Sequence, residues 1–296
     1  MNLDLGTTVY LDTSAWNTFC DWTSRRSLKW FSGPEYLFSS CNLDEFSLAP
    51  PARSKELASL AWRMSNRKKL LDHIELTATE VAAHRGGRAA DYFDGRDKGF
   101  PVAWAAMRRT GGDTPMREAM RASMESGKQE YRVHLQLMRD TLGPFFRAAA
   151  VHGVSREWPD LLDEMSSEPE IREMLVGVLG EPGLGSQTAN IAALSHIDYR
   201  VLPGTACWVQ YHLALTFLAA QKTGRLARPD KGDQVDFRHA CYSGIAEVFV
   251  TGDKRMHEVL STMVPACRAR VLSPDAFLEI AVGEPPTSAS TPARRR

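Results

Sequence analysis

Two short apolar runs, near opposite ends of the chain, each lead straight into an aspartate. Nothing else in the sequence constrains the fold as much. Thr8-Val9-Tyr10-Leu11 runs into Asp12-Thr13-Ser14, and Val248-Phe249-Val250 runs into Thr251-Gly252-Asp253. Short runs of β-branched and aromatic residues read as buried strands. In an open parallel sheet, the ligand crevice lies just past the carboxyl ends of the strands. Acids at two such ends predict a carboxylate cluster on one edge of a single sheet, although most of the chain separates them.

The intervening sequence is mostly helical in pattern. A helix is predicted after Asp12, and residues 24–50 are mixed, with breaks at Gly33-Pro34 and Pro50-Pro51. Residues 54–71 carry Leu57, Leu60, Ala61, Met64 and Leu71 near one helical face. Ile74-Glu75-Leu76 reads as a short strand, and Thr77-x-x-Glu80 as a capping box that opens the next helix. Residues 85–230 read as a helical block, with helices over 101–110, 114–150, 157–180, 187–198 and 205–223. The alternating pattern then returns as a helix over 235–244, a strand over 247–250, a helix over 254–263, a strand over 269–272 and a helix over 274–281. The predicted organisation is a discontinuous α/β domain (1–84 plus 231–282), an inserted helical subdomain (85–230) and a disordered tail (283–296) rich in Pro, Ser, Thr and Arg.

The chain of 296 residues carries 36 basic and 36 acidic side chains, for a formal net charge of zero. No global field draws in polyanions, so a nucleic acid would have to be held by a local patch. The five cysteines form no C-x-x-C pair. That argues against a zinc site and fits free thiols in a reducing cytoplasm. The longest apolar stretch, Trp208 to Ala220, is too short to span a bilayer, and a signal peptide is not expected.

Four acids fall at positions that a shared sheet edge would unite. Asp12 and Asp253 follow strands, Asp236 lies at a predicted helix start four residues before Ala240, and Glu80 sits one turn into its predicted helix. Clustered carboxylates repel unless neutralised, and a hard divalent cation takes oxygen ligands. Such a site suits phosphodiester hydrolysis. Each acid also has a plainer reading: Asp12 and Glu80 as helix caps, Asp253 as a turn residue, and Asp233 as a rival of Asp236.

The ordered set Val9-Tyr10-Leu11-Asp12-Thr13-Ser14-Ala15-Trp16, Thr77-Ala78-Thr79-Glu80, Asp236-x-x-x-Ala240 and Phe249-Val250-Thr251-Gly252-Asp253 resembles a PIN domain. So does the closing Val271-Leu272-Ser273-Pro274-Asp275-Ala276-Phe277-Leu278. The resemblance covers roughly residues 7–84 and 232–281. It implies a parallel-sheet, three-layer α/β fold into which the large helical subdomain is inserted. It also implies a nuclease that needs Mg²⁺ or Mn²⁺. Asp12, Glu80, Asp236 and Asp253 would be its metal ligands and catalytic acids, with Glu75 and Glu56 as fallbacks for the second acid. Thr13, Ser14 and Thr251 would orient them. Many bacterial members are ribonuclease toxins, so RNA ahead of DNA, and a protein inhibitor or antitoxin, are the expected partners.

Further candidates come from the residues themselves. Asn17, one turn after Asp12, is placed to bond an acid of the site. Arg63 and Arg67 share a helix face at i and i+4, and with Arg85 and His239 they are the candidate nucleic-acid contacts. The rival expectation is a catalytically silent binding or scaffold module with the same fold. A small-molecule phosphohydrolase ranks last, because Ser14 stands where that chemistry needs a second aspartate.

Overall fold

The computed structural model describes residues 6–23, 33–65, 69–93, 99–112, 115–122, 158–167, 196–220 and 233–282, with a few positions between 125 and 146. Four strands form one parallel sheet: β1 (Thr8–Leu11), β2 (Glu35–Leu37), β3 (Val248–Val250) and β4 (Arg270–Leu272), in the order β2-β1-β3-β4. In register, Tyr10 stands beside Leu37 on one side and Phe249 on the other, and Val250 stands beside Leu272. Val9, Tyr10, Leu11, Phe249 and Val250 are all 0 % exposed, which is what a central strand pair covered on both faces requires.

The pleat sends alternate side chains to two cores. On one face, Tyr10 and Phe249 pack with α4 (His73–Arg85), α7 (Pro203–Ala220) and α9 (Lys254–Met263). On the other, Val9, Leu11, Val248 and Val250 pack with α1 (Thr13–Thr23), α2 (Ser40–Leu48), α3 (Pro51–Met64), α5 (Gly99–Thr110) and α10 (Pro274–Val282). The protein is thus a mixed α/β structure with a small parallel sheet and mostly helical content. Two further helices are α6 (Trp158–Ser167) and α8 (Asp233–Ala240). Tyr199–Val201 and Cys241–Gly244 form 3₁₀ turns.

The helix α7 is buried over most of its length and apolar all round, as a helix inside a core must be. It packs against α4, α8, α9 and the Cys241–Gly244 turn. Both α5 and α7 come from the stretch read as an inserted subdomain, and each shares a core with the sheet. No helix among the described residues is long and apolar enough to cross a membrane.

One local reading is overturned. Ile74-Glu75-Leu76 is not a strand but the first turn of α4, and Thr77-x-x-Glu80 does not cap it. The cap is Asp72, whose carboxylate accepts the Ile74 and Glu75 amides, both at 2.9 Å. The stretch read only as mixed contains β2 and α2. The helix predicted over 205–223 runs over 203–220, while Ile197–Asp198 lie outside any helix. Most of 114–150, the rest of 157–180, residues 187–195 and the tail lie outside the described residues.

Candidate active site

The chain leaves β1 towards β2 on one side of the sheet, and leaves β3 towards β4 on the other. The crevice of such a sheet opens where those directions diverge, at the carboxyl ends of β1 and β3. Asp12 is the first residue past β1. Its amide donates to Val250 O at 3.1 Å, which holds it beside the end of β3. Its side chain is 4 % exposed. Oδ1 accepts the Ser14 hydroxyl at 2.6 Å and the Ala15 amide at 2.7 Å, and Oδ2 accepts the Thr251 hydroxyl at 2.5 Å.

The loop after β3 is tied to the first turn of α1. The Gly252 amide donates to Ser14 Oγ at 2.6 Å, and the Asp253 amide to Thr251 Oγ1 at 3.0 Å. A Cβ on Gly252 would stand 2.9 Å from Ser14 Oγ, so this close approach needs glycine. Asp253 then caps α9, accepting the Met256 amide at 2.8 Å through Oδ1. Burial pushes the Asp12 carboxyl above its ordinary value. The charge of His239 opposes this most, followed by the Ser14, Thr251 and Ala15 bonds.

A second set of polar groups, buried or partly buried, flanks this edge. Consecutive residues of α8 meet consecutive acids of α2: Arg238 pairs with Asp44 at 3.3 Å, and His239 Nε2 lies 2.7 Å from Glu45 Oε2. His239 Nδ1 lies 2.5 Å from the Tyr10 hydroxyl, which lies 2.8 Å from Ser39 Oγ. Asn42 Oδ1 accepts from the Ser39 amide and hydroxyl at 3.1 and 3.2 Å, and its amide donates to Leu11 O at 3.0 Å. Asp44 and Glu45 did not stand out in the sequence. The signal was there: Ser39 and Asn42 frame a helix start, and the acids follow between the buried Leu43 and Phe46.

Glu80 is placed differently. It sits in the middle of α4, 2 % exposed, and receives the start of α7. Oε1 accepts the Gly204 amide at 2.8 Å and the Tyr92 hydroxyl at 3.1 Å. Oε2 accepts the Thr205 amide at 2.9 Å and hydroxyl at 2.7 Å. Burial raises its carboxyl too, opposed first by the Thr205 hydroxyl. Four donors fill the four lone-pair positions of a carboxylate. Glu80 therefore acts as an acceptor for the free N–H groups at the start of α7.

The other predicted residues are scattered. Thr13 Oγ1 is buried and makes no hydrogen bond among the described residues. Asn17 bonds Thr13 O and the Arg53 guanidinium rather than an acid of the site. Asp236 is partly exposed, one turn before His239. Arg63 and Arg85 are exposed on α3 and α4, and Arg67 lies outside the described residues. His239 is 2 % exposed with both ring nitrogens engaged. Glu56 bonds Arg53 and the Cys20 thiol, and Glu75 lies in the first turn of α4.

Asp12 and Asp253 are hard oxygen donors of the kind Mg²⁺ and Mn²⁺ take. Asp12 has three of its about four lone-pair positions filled, whereas Glu80 has none open to an ion. As the side chains stand, no three His, Cys, Asp or Glu among the described residues form a group able to hold a metal ion. No family model, curated protein or solved structure matches the chain.

Proposed function

We propose that the protein is a PIN-like, Mg²⁺- or Mn²⁺-dependent endonuclease acting on RNA ahead of DNA. The observation that carries this reading is Asp12, a buried carboxylate at the divergence of a parallel sheet, bound to the loop that ends in Asp253. The residues that would hold the cation are Asp12 and Asp253, with Asp236 from α8. A bound cation would supply Lewis-acid activation of the scissile phosphodiester. Ser14 and Thr251 orient Asp12, and the exposed Arg63 and Arg85 are candidates for the nucleic-acid backbone. Glu80 is left out of this ligand set because α7 and Tyr92 occupy its oxygens.

The test is cleavage of single-stranded RNA with Mn²⁺ by the full chain and by Asp12→Asn, with circular dichroism as the check on folding. Removing the central ligand should lower the rate about 100-fold or more. Unchanged cleavage by folded Asp12→Asn would sink the reading. One observation favours a second reading, a silent nucleic-acid-binding scaffold: α7 and Tyr92 already satisfy Glu80. Calorimetric titration with Mn²⁺ separates the two, since the nuclease binds the ion and loses that binding in Asp12→Asn.

A further inference from the structure

The helices α3 and α5 build a ridge whose cations have few acids to answer them. They run antiparallel, with Trp104 Nε1 donating to Ala58 O at 2.9 Å and Gly111 lying against Pro51. Side chains on a helix lean towards its N-terminus, so Trp62 and Arg108 converge from the two helices. The Arg108 guanidinium lies over the Trp62 ring, 4.4 Å from its centroid. Beneath it the rings form a ladder into the core. Trp62 meets Trp104 edge-on at 4.8 Å, Trp104 stacks on Phe38 at 4.4 Å, and Phe38 meets Trp16 edge-on at 6.1 Å. The Trp16 amide closes the first turn of α1 on Asp12 O at 3.0 Å. A long, flexible side chain is thereby backed by a rigid stack that starts beside the candidate site.

Arg108 is partly exposed and has no carboxylate partner among the described residues. Lys55, Arg63 and Arg109 are exposed on the same two helices, also without an acid among those residues. Lys55, Ser59 and Arg63 follow one another at i, i+4 and i+8 on one face of α3. No acid occurs over 57–64 or 99–112, and Glu56 is taken by Arg53 at 3.4 Å. The ridge also leads to the right edge of the sheet. After α3 the Leu70 amide donates to Phe38 O at 2.7 Å, just past the carboxyl end of β2. In a parallel sheet this is the edge that carries Asp12, so the last turn of α3, with Trp62 and Arg63, lies towards it. We propose that the ridge binds a single nucleic-acid strand, with a base stacked on the outer face of the Arg108 guanidinium and phosphates along Arg63, Arg109 and Lys55. A guanidinium plane backed by a ring takes an unstacked base, which a duplex keeps covered. Unpaired cations beside it match a phosphate backbone. An acidic polypeptide shares the charge but brings no succession of planes to stack. That the strand is RNA and a substrate rests on the nuclease reading above.

The test is fluorescence polarisation of a short labelled oligouridylate with the full chain in EDTA, where binding is read without cleavage. Arg108→Ala should weaken binding about tenfold or more, the worth of one stacked base. Arg108→Lys keeps the charge but loses the plane, so it should retain the wild-type salt dependence without recovering the affinity. Arg63→Ala combined with Arg109→Ala should weaken binding and lower the salt slope by about 0.7 for each phosphate contact removed. Arg108→Ala that binds as tightly as the wild type overturns the proposal. So does a wild type that binds the matching RNA duplex, or polyglutamate, as tightly as the single strand. Should Arg108→Ala fail to fold, the pair at exposed side chains decides, and an unchanged affinity and slope overturn the proposal equally. Binding that depends on Arg108 without cleavage in Mn²⁺ would leave the ridge standing and sink the nuclease. Cleavage together with binding that ignores Arg108 would do the reverse.

Discussion

Asp12 and Glu80 are both buried, both pushed towards protonation by burial, and both wrapped in hydrogen bonds. They differ in where their donors come from. Glu80 is satisfied by one helix start, whose amides would otherwise lie buried with nothing to bond, and by a partly exposed tyrosine. Asp12 also accepts a helix-start amide, that of Ala15, but it is held besides by the hydroxyls of Ser14 in the first turn of α1 and of Thr251 in the loop after the adjacent strand β3, at the edge of the sheet where the connections diverge. A carboxylate whose lone-pair positions are all filled belongs to the architecture, whereas one at the diverging edge of the sheet with a position still open can serve chemistry.

The strongest way to break this comparison is Glu80→Ala. It strands the Gly204 and Thr205 amides in the interior and leaves the Thr205 hydroxyl only its Thr77 partner, and it should cost about 3 kcal/mol in urea unfolding. Folded Glu80→Ala should still cleave RNA. A variant that keeps full stability but loses cleavage would move Glu80 into the catalytic set.

A smaller effect concerns pH. Asp12, Asp44 and Glu80 all bind protons more tightly in the folded state, each because of burial. The stability this confers is complete below about pH 4. It is lost as pH rises through each raised value, so these groups favour the acid side. One such group contributes a slope no steeper than about 1.4 kcal/mol per pH unit. Urea midpoints between pH 4 and 7 should decline less steeply in Glu80→Gln than in the wild type, and equal slopes would contradict the assignment. The smallest effect is Thr251→Val, which removes one hydroxyl from Asp12 and one acceptor from the Asp253 amide. It should cost about 1 kcal/mol of stability while lowering cleavage several-fold more than that loss explains. Equal losses in both would make Thr251 purely structural.

How much of this was legible depended on whether the signal was local. Asp12, Thr251 and Asp253 each follow an apolar run short enough to mark itself as a strand, so their positions follow from neighbours in sequence. Glu80 was misplaced because Ile74-Glu75-Leu76 alternates like a strand and Thr77-x-x-Glu80 mimics a capping box. Asp72, the true cap, differs from that pattern only in the bonds its oxygen finds once the helix forms. Asp44 and Glu45 were hidden because β2 has only three residues, leaving no periodicity to announce the helix behind it. Their partners Arg238 and His239 lie 194 residues away, a distance that no window of sequence spans.

That separation has a consequence in time. Asp12 and Thr251 stand 239 positions apart, and β1 has its central neighbour β3 only once both exist. At ordinary elongation rates the ribosome needs on the order of 10–50 s to travel that far. Throughout this interval the N-terminal aspartate lacks the Thr251 hydroxyl that orients it. On the reading proposed above, a growing chain lacks its assembled acid site until synthesis is nearly complete.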